Sequence, residues 1–280
     1  MKKISLMLAM LLYVASGIMA QGDFISVKEL SGKINDSKCI IIDARKKTEY
    51  QKVHIRNAIS VPVEVISTKT PIDGILKSDA EVAKVLGTHG VDINKELILY
   101  CNKGSNAGRM YWVLKMMGAK DVKLLDGNLD AWKAARKPVT RNPKMAKKCK
   151  VEATWDKSTY LTQANVKAQM GNDKVVLVDA RADAYFNGTD PKSKGHIPGA
   201  ISINSDLMRD EKGLIKSTEE LKKLFASKGV TKDKEVILYC QTSTRAGLLY
   251  AILTTTLGYT NVKVYDGAYN EWVTNSKLEA

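Results

Sequence analysis

The chain has 280 residues, of which 44% are hydrophobic and 26% are charged, and its formal net charge is +14 at pH 7. This composition excludes a disordered or low-complexity protein and is sufficient for two domains that each bury a core. The basic residues are spread along the chain without a recognised nucleic-acid-binding motif. We therefore expect no nucleic-acid partner, and we expect the positive charge to attract small anions.

The first twenty residues predict a secretory signal peptide. A basic start at Lys2 and Lys3 precedes a mostly apolar run from Ile4 to Ile18, and small residues follow up to Ala20. The run is shorter than the ~20 residues of a membrane-spanning helix, so a cleaved signal (residues 1–20) is favoured over an uncleaved anchor. We expect an exported protein, most simply a bacterial periplasmic one, with no membrane span after cleavage.

Residues 21–138 are predicted to form a first domain that alternates strands and helices. Ser26 is predicted to cap the first helix. Apolar runs at Cys39–Asp43, Leu97–Cys101 and Val122–Leu125 predict buried strands, and the apolar pattern after Cys101 predicts a helix. This order is typical of an α/β fold, a parallel sheet with helices on both faces.

Cys101 opens a loop of small and polar residues between a predicted strand and a predicted helix. Ligands gather at the carboxyl ends of parallel strands, and a thiol there lies near unpaired backbone N–H groups that favour the thiolate. Cys101 is therefore a candidate nucleophile. The candidate substrate-binding residues of its loop are Lys103, Gly104 and Ser105.

The same pattern returns after a lysine-rich linker predicted at residues 139–152, so residues 153–280 are predicted to form a second domain of the same fold. Four motifs recur in the same order. They are Asp43-Ala-Arg45 and Asp179-Ala-Arg181, His54-Ile and His196-Ile, the strand ending in Cys101 or Cys240, and Asp126-Gly or Asp266-Gly followed by Trp132 or Trp272. A repeat of this length indicates duplication of a whole domain.

The four cysteines include no Cys-x-x-Cys pair, and the chain has three histidines, so we expect no metal site. In an exported protein disulfides are the default. We hypothesise a Cys39–Cys149 disulfide that ties the linker to the first domain, with free thiols as the alternative.

On these motifs each half resembles the rhodanese homology domain, and the chain resembles a tandem-domain rhodanese of the thiosulfate and 3-mercaptopyruvate sulfurtransferase family. The resemblance rests on the four repeated motifs, with Tyr50 and Tyr185 after Asp-Ala-Arg and Gly195-His-Ile-Pro-Gly-Ala200 in the second copy. It implies transfer of sulfur from a small anionic donor (thiosulfate, polysulfide or 3-mercaptopyruvate) to a thiol, cyanide or protein-cysteine acceptor. A cysteine persulfide would carry the sulfur, with no cofactor and no metal.

The two copies are unequal, and their differences favour Cys240 as the main catalytic residue. The second loop contains Arg245, a cation suited to an anionic donor, where the first has Asn106. The resemblance also implies a catalytic C-terminal domain. Cys101 is either a second catalytic residue or a buried structural thiol. The candidate substrate-binding residues of the second copy are Gln241, Thr242, Ser243, Thr244, Arg245 and Arg181.

Other repeated residues have structural interpretations. The Asp-Ala-Arg motifs are expected to form ion pairs that fix loops, the repeated histidines to be packed or hydrogen-bonded, and Trp132 and Trp272 to lie in cores or at a domain interface.

Two alternatives to a sulfurtransferase come from other classes. A dual-specificity phosphatase needs an arginine six positions after the cysteine, where this chain has Ala107 and Ala246. A non-catalytic sulfur or polysulfide carrier, or a partner-docking module, is compatible with the substitutions in the first copy.

Overall fold

The computed structural model describes residues 22–279, so the predicted signal peptide (residues 1–20) lies outside the described residues. Within residues 22–279, no helix combines the length and the apolar character needed to cross a membrane.

The N-terminal domain is built on a five-stranded parallel sheet with helices on both faces, as predicted. Its strands are β1 (Phe24–Ile25), β2 (Cys39–Asp43), β3 (His54–Ile55), β4 (Ile59–Ser60), β5 (Glu96–Tyr100), β6 (Val122–Leu125) and β7 (Val139–Thr140). Its helices are α1 (Val27–Lys33), α2 (Lys47–Lys52), α3 (Asp79–Thr88), α4 (Ser105–Met116) and α5 (Asn128–Ala134). The sheet order is β1-β6-β5-β2-β4, and β3 pairs with β7 in a separate antiparallel ladder.

The C-terminal domain repeats this architecture. Its strands are β8 (Tyr160–Leu161), β9 (Val175–Asp179), β10 (Ile201–Ser202), β11 (Glu235–Tyr239) and β12 (Val262–Tyr265). Its helices are α6 (Gln163–Gln169), α7 (Asp183–Phe186), α8 (Thr218–Ser227), α9 (Thr244–Ala251) and α10 (Ala268–Asn275). The sheet order is β10-β9-β11-β12-β8, all parallel. The central strand of each sheet, β5 or β11, ends next to a loop cysteine.

Local sequence accounts for the beginning of α1. The predicted N-cap is confirmed, since the Ser26 side chain accepts the Glu29 N–H while the Glu29 carboxylate accepts the Ser26 N–H. This capping box satisfies two backbone groups that the helix cannot bond internally. The central strand β5 is buried from Leu97 to Tyr100, because helices cover both faces of the parallel sheet.

The predicted linker differs from the structure at its beginning. Residues 139 and 140 form β7, because they pair with His54 and Ile55. No helix or strand covers residues 141–159, and the Cys149 N–H donates to the Gly87 carbonyl at 3.0 Å, so this segment is held against the first domain.

The Cys39–Cys149 disulfide hypothesis is wrong for this structure, in which both thiols are free. Cys39 packs with Leu30 and Trp132 on one side of the first sheet. Cys149 Sγ lies 3.3 Å from the carbonyl oxygen of Val91, which belongs to the core on the opposite side. The sheet therefore separates the two side chains.

The two domains meet where α4 crosses α9. A Cβ atom on Gly108 would lie 2.4 Å from the Leu248 backbone nitrogen, and one on Gly247 would lie 2.5 Å from the Gly108 carbonyl oxygen. Only glycine allows such a close approach of two helix backbones. One hydrophobic cluster runs from Phe24 in the first domain to Val264 in the second, so the interface is continuous with both cores.

Candidate active site

Cys101 and Cys240 occupy equivalent places at the carboxyl ends of the central strands. Each is followed by a short loop whose last residue has a left-handed backbone, Gly104 with φ 83° and Ser243 with φ 57°. That residue is the N-cap of α4 or α9, and in neither case does its side chain cap the helix. The first N–H groups of the helix therefore remain available to the cysteine sulfur.

Cys101 has a sulfur surrounded by backbone donors. The Gly104 N–H donates to Cys101 Sγ at 3.0 Å, and the Asn128 side chain accepts the Cys101 N–H at 3.0 Å. Burial raises the pKa of the Cys101 thiol, although nearby backbone N–H groups oppose the rise; these belong to Ala107, Lys103, Gly104 and Asn106. The expectation that this position favours the thiolate is wrong for Cys101, because desolvation outweighs the N–H groups.

Cys240 is fully buried, with 0% exposure compared with 3% for Cys101. Its Sγ lies 4.0 Å from the Thr244 hydroxyl, and its carbonyl accepts the Tyr269 N–H at 3.0 Å. Thr244 is therefore the predicted substrate-binding residue whose side chain lies next to the sulfur.

Three other loop residues of the second domain use their side chains for structure. The Ser243 hydroxyl is buried and donates to the carbonyls of Tyr265 and Asp266. The Gln241 amide donates to the Asn270 side chain at 2.6 Å, and Thr242 packs against Gly74 of the first domain. These contacts determine the shape of the loop around Cys240.

The two predicted donor-binding cations of the loops, Arg245 and Lys103, lie in different surroundings. Arg245, in the first turn of α9, is half-buried and has no hydrogen bond or ion pair with any residue in the 22–279 range. Lys103 is exposed, beside buried Gly104 and half-buried Ser105. Arg245 is therefore free to contact an anion near the second loop.

The Arg181 guanidinium is bonded to other groups of the protein, which argues against the predicted substrate contact. Its guanidinium forms a bidentate ion pair with Asp179 and donates to Ser193 Oγ and to the Gly195 carbonyl, with 1% of the residue exposed. Arg45 and Asp43 form the equivalent pair in the first domain. The expected ion pairs are thus confirmed, and they hold the segments after β2 and β9.

The histidines and tryptophans have the expected structural roles. His54 stacks on Tyr50 and His196 stacks on Phe186, each pair with ring centroids 3.7 Å apart. Trp132 and Trp272 are buried in the outer cores of their domains.

Each cysteine loop is also contacted by a segment of the opposite domain, a relationship that the sequence patterns do not predict. We call residues 67–76 interdomain loop 1 and residues 209–215 interdomain loop 2. In loop 1 the Leu76 N–H donates to the Asp266 carboxylate, and in loop 2 the Ile215 N–H donates to that of Asp126. Arg209 also donates to the Lys103 carbonyl. The repeated Asp-Gly motif was the available signal for these contacts.

The chemical capacity of the site follows from this geometry. At Cys101, a buried thiol at a helix N-terminus with the Gly104 N–H directed at the sulfur suits a nucleophile that becomes a negatively charged sulfur chain. An unpaired arginine beside the second loop suits an anionic donor.

Comparisons with known proteins agree with this interpretation. The rhodanese-like domain family matches at residues 26–135 and again at 162–275. The chain is 29% identical over 274 residues to 3-mercaptopyruvate sulfurtransferase of Escherichia coli strain K12, covering 91% of this chain and 96% of the relative. It is 30% identical over 241 residues to thiosulfate sulfurtransferase of Cricetulus griseus, covering 82% and 80%.

Two solved structures show the same tandem fold. The crystal structure of a 3-mercaptopyruvate sulfotransferase from Escherichia coli superposes with a TM-score of 0.79 and 30% identity, covering 89% of this chain and 99% of that chain. An anaerobic ergothioneine biosynthesis enzyme from Chlorobium limicola superposes with a TM-score of 0.82 over 92% of this chain and 70% of that chain. At 19% identity, the second likeness concerns the fold.

Proposed function

The chain belongs to the rhodanese family and is a sulfurtransferase, and from this premise we propose that Cys240 is its main nucleophile. The observation that carries the assignment is the place of Cys240 at the end of the central strand β11, before the first turn of α9, with Thr244 beside its sulfur and Arg245 in the same turn.

The proposed reaction has two half-reactions. The Cys240 thiolate attacks the outer sulfur of the donor; with thiosulfate, the S–S bond breaks and sulfite leaves with the electron pair. This leaves a Cys240 persulfide. A thiol, cyanide or protein-cysteine acceptor then attacks the terminal sulfur and releases the Cys240 thiolate, so ping-pong kinetics are expected.

The residues around Cys240 would supply electrostatic stabilisation. The negative terminal sulfur of the persulfide would lie at the positive end of the α9 dipole, close to the backbone N–H groups of the first turn. Arg245 would contact the anionic part of the donor, and Thr244 would donate its hydroxyl to the sulfur chain.

The donor is proposed to be thiosulfate, polysulfide or 3-mercaptopyruvate. The names of the relatives support the first and third of these. Gln241 and Thr242 follow Cys240 without adding a cation to the loop, so Arg245 is the charged donor contact. We also propose that residues 1–20 are removed on export to a bacterial periplasm; N-terminal sequencing of the protein recovered from a periplasmic fraction tests this.

Cys101 is proposed as a second catalytic residue. Its loop also ends in a left-handed residue at a helix N-terminus, its sulfur accepts the Gly104 N–H, and Lys103 and Ser105 lie nearby to contact the sulfur donor. The raised pKa of its thiol implies a smaller thiolate fraction at neutral pH than an ordinary cysteine has.

Intact mass spectrometry after incubation with thiosulfate, and separately with 3-mercaptopyruvate, tests the assignment. We expect a gain of about 32 Da that is reversed by dithiothreitol and lost in Cys240→Ser, because the persulfide is a covalent intermediate. Cys101→Ser is the matched control. A gain that survives Cys240→Ser and disappears in Cys101→Ser would reverse the order of the two sites. Persulfide formation without turnover would indicate a sulfur carrier.

A further inference from the structure

One buried charge breaks the internal symmetry of the domain interface. Arg109 in α4 and Leu248 in α9 occupy corresponding positions after the two cysteine loops. The Arg109 guanidinium crosses to the second domain, where its Nη2 lies 2.6 Å from Asp266 Oδ1, and the same nitrogen donates to the Gly74 carbonyl at 2.7 Å. Leu248 instead packs against Gly104.

This arginine uses little of its hydrogen-bonding capacity, although its guanidinium also lies over the Trp112 ring, 5.2 Å from the centroid. Arg109 is 0% exposed, yet its Nε and Nη1 have no hydrogen-bond partner among residues 22–279. Asp266 Oδ1 likewise has no hydrogen-bond donor in that range, so the contact is held by charge. Burying a guanidinium with unpaired donors is unfavourable, and an apolar residue at such a place is often at least as stable. The second copy has that apolar residue in Leu248.

Two contacts of Arg109 connect it to the Cys240 loop. Through the first, Arg109 fixes Gly74 of interdomain loop 1, whose α-carbon faces Thr242 so closely that an added Cβ would lie 2.6 Å from the Thr242 Cβ. Through the second, it pairs with Asp266, whose backbone carbonyl accepts the Ser243 hydroxyl at 3.2 Å. Both Thr242 and Ser243 belong to the loop that surrounds the sulfur.

We propose that Arg109 is a positioning residue for the Cys240 site: a side chain of the N-terminal domain that, through Gly74 and Asp266, holds the Cys240 loop in its buried conformation. The part of the proposal that concerns turnover rests on the proposed function of Cys240. The part that concerns the loop does not, because any thiol reagent can report the exposure of Cys240.

The test compares the full-length wild type with the double variant Arg109→Leu/Asp266→Asn. The double variant leaves neither an unpaired carboxylate nor an unpaired guanidinium, and the side-chain amide introduced by Asp266→Asn can still accept the Leu76 N–H, so the comparison reports the loss of the Arg109–Asp266 pair. Two quantities are measured: kcat and KM with thiosulfate, and the iodoacetamide alkylation rate of Cys240 relative to Cys101 in the same molecules by peptide mapping.

We expect loss of Arg109 to lower kcat about tenfold, as misplaced reacting groups do, with KM within about twofold because Arg109 does not contact the donor. We also expect Cys240 to be alkylated several-fold faster relative to Cys101. Leu248→Ala is the control for a merely loosened interface: it should lower the thermal midpoint and leave kcat and the Cys240 alkylation rate within about twofold.

Values of kcat and of the alkylation ratio in the double variant that both stay within about twofold of the wild type would overturn the proposal. If the wild-type protein forms no persulfide with any donor, the proposed function fails. The role of Arg109 is then tested by the alkylation rate of Cys240 relative to Cys101 alone. A faster Cys240 reaction would support the positioning role, and an unchanged ratio would reject it.

Discussion

Asp126 and Asp266 accept the same kind of hydrogen bond from opposite domains. The Ile215 N–H lies 2.8 Å from Asp126 Oδ1, and the Leu76 N–H lies 2.9 Å from Asp266 Oδ2. Each Asp-Gly motif therefore fixes the interdomain loop that the other domain supplies. Neither cysteine loop is complete within its own domain.

The crossing of α4 and α9 predicts a specific stability loss. Gly247→Ala would place a methyl group 2.5 Å from the Gly108 carbonyl oxygen, so the helices must separate, and we expect a loss of about 3 kcal/mol in the free energy of unfolding. Urea denaturation measures it. The control is Gly32→Ala in α1, where an added Cβ would have no atom of another element within 4 Å. We expect this variant to gain about 0.5–1 kcal/mol in the free energy of unfolding. Equal effects of the two substitutions would contradict this account of the interface.

The buried hydroxyl and the left-handed backbone of Ser243 predict that two substitutions there will differ in stability. Ser243→Ala keeps the left-handed backbone and removes the hydroxyl bonds to Tyr265 and Asp266, so we expect a loss of about 1–2 kcal/mol in the free energy of unfolding. Ser243→Gly loses the same bonds and also relieves the backbone strain, worth roughly 1 kcal/mol, so it should be close to neutral. Thermal unfolding of both variants measures the difference. A glycine variant less stable than the alanine variant would show that strain is unimportant here.

The raised pKa of the Cys101 thiol predicts its reactivity profile. Alkylation needs the thiolate, and burial shifts the Cys101 pKa upward, so at neutral pH less thiolate is present than in an ordinary cysteine. The alkylation rate of Cys101 should therefore keep rising as the pH passes the range in which free thiols have reached their plateau. Peptide-resolved iodoacetamide kinetics in Cys240→Ser measure it. Burial also raises the Cys39 pKa, to about 12, so Cys39 should be unreactive at pH 8. A Cys101 alkylation rate that levels off at a lower pH than the rate of a model thiol would contradict the prediction.

Asp126 predicts a pH-dependent stability. Burial raises the pKa of its carboxyl, against the effect of N–H groups from Ile215 and Gly127. The folded protein therefore binds the proton more tightly than the unfolded chain does, and the resulting stabilisation is present at low pH and lost as the pH rises through the folded pKa. Asp126→Asn retains an acceptor for the Ile215 N–H without the charge. We expect this variant to be more stable than the wild type at pH 7, with the advantage shrinking toward pH 4. Denaturation at both pH values measures the effect, and an advantage that grows toward pH 4 would contradict it.

Much of the fold could be predicted because it follows from local patterns of apolar residues in the sequence. The apolar runs at Cys39–Asp43 and Val122–Leu125 are strands with those bounds, and the duplication predicted the second sheet from the first. Buried parallel strands need such continuous runs, so the pattern is specific. Both loop cysteines could be found for the same reason, since each directly follows a central strand.

The remainder of the site depends on contacts distant in sequence. Leu76 and Asp266 are 190 positions apart, and no periodicity or spacing links them. Arg181 was predicted both as a substrate contact and as part of an ion pair, and only its surroundings distinguish the two roles. The raised pKa of Cys101 likewise reflects how tightly the assembled domains exclude water, whereas the sequence indicated only the donors that oppose it.

The close packing of Gly108 against Gly247 makes the interface resemble that of a homodimer held in one chain. In a symmetric dimer every substitution appears twice, so an arginine at one subunit's interface is always accompanied by its copy. Covalent linkage removes that restriction. One half can carry Arg109 while the other carries Leu248, and the two cysteine loops can then have different surroundings although the two halves share one fold.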